Sequence, residues 1–328
     1  MSGLSACYDA MTIFQPDTVT FSAMTTPAAL DQDGIPVCDG PHAHPRKPSL
    51  KAPPGAIDCH AHIFGPVARY PFSPKRLFTP PDVSVSQYRQ LLDTLGIARA
   101  VLVTPSVYGL DNERQLDALV EMRGNWRGVA VVPTNVADAE LERLHGAGFR
   151  GVRVNLFAKS GLMLDDLEAI AARVSILKWH VQLHVDARNL EELAPRLRRL
   201  PVDVVFDHMG HVPAAAGVHH PGFTAMLDLM RRGTFWVKLS APYRLSELPY
   251  PYADVTPFAR ALIDAAPDRV VWGSDWPHPA VPGHMPANFV MPNDADLLDI
   301  LALWTDDPAQ QKKILLDNPR RIYDFGEA

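Results

Sequence analysis

His60 and His62, two residues apart in IDCHAHIFGP, are the first side chains of this chain whose type and spacing could do chemistry. Residues two apart on a strand face the same way, so both imidazoles are expected to aim at one point. Converging imidazole nitrogens suit a divalent metal ion; the plainer reading is a polar strand end. Similar places hold His184 in HVQLHVD, His208 in VVFDHM and Asp275 in WGSDWP. Cations accompany them: Arg153 in FRGVRVN, Lys238 in FWVKLSA and Arg244 a few residues later. Imidazoles and a carboxylate can turn water into a nucleophile, and cations can hold a carboxylate-bearing substrate. The set therefore points to water attack on an acyl carbon.

Such residues need elements to position them. Eight short apolar, β-branched runs lie at 56–62, 99–105, 127–133, 149–155, 180–186, 203–209, 235–241 and 269–277. Between them, segments such as VSQYRQLLDTLG and LDDLEAIAARV carry apolar residues at helical spacing, and Gly96 and Gly148 stand where helices should stop. Alternating strands and helices imply a parallel sheet. Eight strands over about 270 residues match a (β/α)8 barrel, and no Gly-rich phosphate turn follows the first strand to favour an open dinucleotide-binding sheet. Strand ends are expected at His62, Thr104, Pro133, Asn155, Asp186, Met209, Ala241 and Asp275, each within about three residues. Barrel chemistry sits at those ends. By strict alternation Asp58 lies one layer below His60, Cys59 and Asp207 point outward, and Gly151 leaves room beside an inward Arg153.

Composition limits the function. A net charge of −6 without a basic run argues against nucleic acid as partner. No uncharged apolar stretch reaches about 18 residues, so no membrane span is expected. Cys7, Cys38 and Cys59 form neither a disulfide framework nor a CxxC zinc site, and the start carries no recognisable signal peptide, as a cytoplasmic protein would have it. Residues 1–55 read as an irregular, Pro-rich extension and 56–328 as the barrel domain. Within the extension, His42 and His44 read as an exposed loop between Pro41 and Pro45. His219 and His220 are expected to face solvent, His278 to lie at the surface or to support the site, and Trp272 and Trp276 to pack the barrel. His284, in the Pro- and Met-containing loop after the last strand, could reach over the mouth but is not counted among the expected site residues. Monomer and homo-oligomer both remain open.

The motifs narrow this further. IDCHAHIFGP with YPFSP, VTPSVYGLDN, FRGVRVN, VVFDHMG, WGSDWPHP and the closing NPRRIYDF resemble the amidohydrolase superfamily, and within it the branch of 2-pyrone-4,6-dicarboxylate lactonase and 4-sulfomuconolactone hydrolase. The resemblance runs from about residue 55 to 325. It implies an enzyme that opens a small anionic lactone, with Asp275 as general base and His60, His62 and His208 around the lactone carbonyl. It further implies Arg153 and Arg244 on substrate carboxylates, and Ser106, Tyr108 and Asn112 as substrate contacts. The pyrone enzyme works without metal and has Tyr where this chain has His184 and Arg where it has His211. The first difference restores a metal-type ligand; the second removes a cation, leaving His211 as a weaker anion contact or a plain loop residue. The expectation is one zinc or manganese ion on His60, His62, His184 and Asp275, and a muconolactone-type substrate of aromatic-compound catabolism. Alternatives are the metal-free pyrone lactonase, a metal-dependent decarboxylase, a lactone isomerase and a barrel that only binds.

Overall fold

The apolar runs become eight short parallel strands: β1 (Ile57–Ala61), β2 (Arg99–Val103), β3 (Trp126–Ala130), β4 (Phe149–Asn155), β5 (His180–His184), β6 (Val204–Phe206), β7 (Phe235–Leu239) and β8 (Val270–Trp272). They pair in sequence order from β1 to β8, and each ends no more than three residues short of its expected position. This arrangement is seen in a computed structural model that describes residues 29–158, 161–280, 285–286 and 289–326. His284 and Cys7 lie outside the described residues.

Helices α1 (Val85–Leu95), α2 (Glu113–Glu121), α3 (Asp138–Ala147), α4 (Leu167–Ser175), α5 (Leu190–Leu197), α6 (Pro221–Met230), α7 (Thr256–Ala265) and α8 (Asp294–Asp299) cover the outside of the sheet. Local chemistry sets their limits. Ser84 caps α1 with a reciprocal bond to Gln87, and Gly96 closes it at φ 72°. Gly148 ends α3 at φ 110°. His220, expected to face solvent, instead caps α6 by accepting from the Gly222 amide. No described helix is long and apolar enough to cross a membrane.

The barrel closes through the chain that follows β8. The Asp275 amide donates to the His60 carbonyl at 2.8 Å, and the His62 amide donates to the Trp276 carbonyl at 2.8 Å. Gly273 makes this approach possible, because a Cβ there would lie 2.7 Å from the His60 Cβ. The interior is apolar at its lower end, with Ile57, Cys59, Val101, Val103, Val129, Val205, Trp236 and Val271 in one buried cluster. Tyr323 and Phe325, from the C-terminal segment, join that cluster. Among the described residues of the N-terminal segment, Arg46 pairs with Asp296 and Asp299 near α8, and Cys38 is buried with its thiol 3.1 Å from the Ala280 carbonyl. His42 and His44 are exposed, and His42 reaches the Met291 carbonyl.

Strict alternation fails at two points, and both matter for the site. Between Asp58 and Ala61, β1 uses three steps where β2 uses two, pairing Asp58 with Ala100 and Ala61 with Leu102. The extra residue turns Cys59 and His60 to the same side. Cys59 follows Ile57 to the interior rather than pointing outward, and it is His60 that the extra residue brings to the same face. Asp58 does not lie under His60: it points away from the barrel axis, accepting from the Tyr88 hydroxyl of α1 at 2.8 Å and from Ser274. The second break follows β6. The strand stops at Phe206, and His208, Met209 and His211 adopt φ of 47°, 51° and 54°. Asp207 follows Val205 inward by the strand's own period and the turn brings His208 inward as well, against the expectation of an outward Asp207.

Candidate active site

Asp275 stands at the centre of the mouth. Its Oδ1 lies 3.7 Å from His60 Nε2, 3.8 Å from His62 Nε2 and 3.7 Å from His208 Nε2. Each ring is anchored through its other nitrogen. His62 Nδ1 is 2.7 Å from the Val103 carbonyl, and His208 Nδ1 is 2.8 Å from Ser240 Oγ. His60 Nδ1 is 3.1 Å from Lys238 Nζ and 3.2 Å from Asp207 Oδ1. Burial pushes the His60 imidazole down to about 4 and that of His62 to about 3, so both rings are neutral near pH 7 and each keeps a lone pair. His60 Nε2 is buried and has no hydrogen-bond partner among the described residues.

The other oxygen of Asp275 is fully engaged. Oδ2 accepts from the Tyr243 hydroxyl at 2.7 Å and from Arg244, whose Nε and Nη2 lie 3.0 and 2.9 Å away. Burial opposes ionisation of this carboxyl, yet the Arg244 guanidinium holds it well below the usual carboxylate range. Arg244 thus sits beside the segment that follows β8. The 3-10 turn Pro242–Arg244 after β7 folds back over Asp275, and the guanidinium also donates to the Pro279 carbonyl.

One layer below lies a buried charge cluster. Asp207 accepts from Arg153 Nε at 3.2 Å and from Gln182 Nε2 at 3.0 Å, with Lys238 Nζ 3.4 Å away. Lys238 donates to Gln182 Oε1 at 2.6 Å. Burial would raise the Asp207 carboxyl, but Lys238 and Arg153 hold it well below its ordinary value, while burial lowers that of Lys238. The anion that an inward Arg153 requires is therefore supplied by the protein itself. The space left by Gly151 is taken by His180, whose ring would be 2.5 Å from a Cβ at that position.

His184 pairs with His211 and stands beside His208, with ring centroids 5.3 Å apart. Its Nε2 lies 2.8 Å from His211 Nε2, and its Nδ1 lies 3.2 Å from Arg153 Nη2. Among the described residues, three groups could each gather their ligand atoms on one ion: His60, His62 and Asp275; His60, Asp207 and His208; and His184, His208 and His211. The four ligands expected from sequence thus divide, with His184 in a group that lacks Asp275. Phe157 packs on both His184 and His211, with ring centroids 4.7 and 4.8 Å away.

Comparison with known proteins decides the family. The amidohydrolase family profile matches residues 57–325. A protein of Comamonas testosteroni named 2-pyrone-4,6-dicarboxylate hydrolase is 41% identical over 293 residues, covering 86% of this chain and 94% of that protein. The chain belongs to the amidohydrolase family. A 4-sulfomuconolactone hydrolase of Hydrogenophaga intermedia is 38% identical over 291 residues, covering 88% of this chain and 95% of the relative. A crystal structure of a probable 2-pyrone-4,6-dicarboxylic acid hydrolase from Acinetobacter baumannii, with citric acid bound, superposes with a TM-score of 0.71 at 29% identity, covering 83% of this chain and all of that one.

In this amidohydrolase the β2 loop is built mainly as scaffold. Asn112 accepts from Thr104 Oγ1 and the Val131 amide and donates to the Leu110 and Val131 carbonyls, which ties the end of β2 to that of β3. The Tyr108 hydroxyl accepts from the Gly65 amide at 2.9 Å, and its ring packs near Phe64 and Phe72. Ser106 opens the 3-10 turn Ser106–Tyr108 and is partly buried. Trp272 and Trp276 pack as expected, the first donating to the Leu297 carbonyl and the second stacking on Tyr88. His278 is fully buried rather than at the surface. Sequence reasoning missed Tyr243, Gln182, Ser240 and Asp294. Gln182 and Ser240 carried a usable signal, since they lie two residues from His184 and Lys238 on strands whose inward faces were already marked. Tyr243 and Asp294 lie in irregular or distant segments where no period applies.

Proposed function

We propose that this chain hydrolyses the ring ester of an anionic, muconolactone-type lactone in aromatic-compound catabolism, with Asp275 as the base that takes a proton from water. The arrangement of three imidazole Nε2 atoms around Asp275 Oδ1 carries this reading. It leaves one carboxylate oxygen facing the reaction space while Tyr243 and Arg244 hold the other. The lactone hydrolases among its relatives support it. The site's charge supports an anionic substrate: Lys238, Arg153 and Arg244 outnumber Asp207 and Asp275 by one, so a substrate carboxylate or sulfonate completes the balance.

The donor set also fits a divalent ion. His60 Nε2 is an orphaned buried nitrogen, and all three rings have an anchored second nitrogen, the support that metal-ligating histidines require. His60, His62 and Asp275 would hold zinc or manganese, with His208 or His184 completing the shell. When bound, the ion would polarise the lactone carbonyl and acidify water. The chain's own residues do the remaining work: Asp275 accepts the proton, Arg244 and Arg153 orient the anion, and His208, fixed by Ser240, faces the carbonyl. Purified protein should carry about one equivalent of zinc or manganese, and chelation should abolish lactone opening until metal is returned. Full activity in a metal-free sample would reject the metal. One observation favours that second, metal-free reading: both carboxylates already have cationic partners in the protein.

The substrate assignment has its own test. Arg244→Met should raise KM at least about tenfold for a carboxylate-bearing five-membered lactone and leave KM for a neutral lactone nearly unchanged, because only the anion loses a charge-assisted partner. Equal effects on both lactones, or a wild-type preference for the pyrone dicarboxylate, would overturn it.

A further inference from the structure

We infer that Asp294 and His278 are remote positioning residues that act through Tyr243 to fix the orientation of Asp275. The four side chains form one continuous polar chain. Asp294 Oδ1 lies 3.0 Å from His278 Nε2, His278 Nδ1 lies 3.2 Å from the Tyr243 hydroxyl, and that hydroxyl donates to Asp275 Oδ2 at 2.7 Å. None of the four side chains has appreciable contact with solvent: His278 and Asp294 are 0% exposed, Asp275 1% and Tyr243 3%.

The chain joins three separate pieces of the fold. Tyr243 comes from the turn after β7, His278 from the loop after β8, and Asp294 from the first turn of α8. Polar groups are costly to bury, and a Phe, a Leu and an Ala would fill this space without that cost. Instead, Asp294 Oδ2 is buried with no hydrogen-bond partner among the described residues, while Oδ1 is turned to His278. Backbone geometry keeps the chain in line: His278, at φ 61°, donates its amide to the Asp275 carbonyl at 2.7 Å.

A carboxylate has two equivalent oxygens, and an unrestrained one rotates between them. Tyr243 and Arg244 both engage Oδ2, which leaves Oδ1 toward the three imidazoles. His278, oriented by Asp294, meets the same hydroxyl from the other side and restrains where Tyr243 presents it. This is the same logic by which a third residue orients a catalytic base in nucleophile–base pairs.

The inference rests on Asp275 acting as the base in the reaction proposed above, and its test separates the two. Wild type, Tyr243→Phe, Asp294→Ala and the double variant would be assayed on muconolactone, and crystal structures of wild type and Asp294→Ala compared. Each single variant should lower kcat at least about tenfold with KM within about twofold, since positioning of the base matters in the transition state rather than in binding. The double variant should fall no more than about twofold below the worse single one, because both act through one carboxylate. Losses that multiply, or a KM effect as large as the kcat effect, would overturn the inference. In the crystals, Asp294→Ala should lose the Tyr243–Asp275 contact; an unchanged contact and Asp275 orientation would also overturn it. A wild type that opens no lactone defeats the functional reading alone, and the crystal comparison still decides the positioning. If Asp294→Ala does not fold, His278→Gln cuts the same chain one link nearer the base and carries the same expectations.

Discussion

Asp275→Asn should lower kcat for lactone opening by at least about a hundredfold, the low end for loss of a general base. The amide is nearly the same size and can still accept from Tyr243, so the cavity and its packing remain. What disappears is the negative oxygen at the focus of His60, His62 and His208, together with the charge that Arg244 neutralises. Loss of a bound ion would give a similar fall in rate, so metal content must be measured on the same preparation. Near-normal turnover with metal retained would reject Asp275 as the base. The same variant frees Arg244, and a second sign is therefore expected: affinity for an anionic ligand such as citrate should hold or rise while turnover falls. A parallel loss of both would mean that the substitution had collapsed the mouth.

Asp207→Ala should destabilise the fold by about 3–5 kcal/mol, the range for removing one partner of a buried ion pair. The cause is what remains behind: Lys238 is fully buried and Arg153 nearly so, and without Asp207 neither has another carboxylate in contact among the described residues. Chemical denaturation at pH 7 would measure this, and a change below about 1 kcal/mol would show that water or a neighbour takes over the carboxylate's role. The pH dependence follows in sign. The Asp207 carboxyl is held well below its ordinary value in the fold, so its contribution is complete above the unfolded carboxyl value near about 4 and is lost as pH falls through the folded one. The wild type should lose stability on acidification over that window, and the variant should show a shallower acid limb.

Much of this molecule follows from short-range pattern. Each strand run carries its own β-branched period, and each helix carries its own stop, as Gly96 and Gly148 show. Eight such repeats leave few topologies open, because parallel neighbours require crossovers of one hand. That His60, His62, His208 and Asp275 meet was readable for the same reason: strand ends of a barrel share one rim. Their roles in catalysis are a proposal that the experiments above address.

What the sequence could not state is where alternation breaks. The extra residue in β1 lies where Gly273 lets the chain after β8 close against His60, and the left-handed turn begins two residues after β6 ends at Phe206. Those two departures bring His60 and His208 to the inward face beside Cys59 and Asp207, so an alternation counted back from the histidines puts Cys59, Asp207 and Asp58 on the wrong sides. Partner choice among the charges is likewise tertiary. Arg153 meets Asp207, Arg244 meets Asp275 and His184 meets His211 because long side chains bridge strands distant in sequence. The residue types and the rim they share were determined locally, by period and propensity. Which of them touch was decided only when the sheet closed, since a closed barrel fixes every strand end against its neighbours at once.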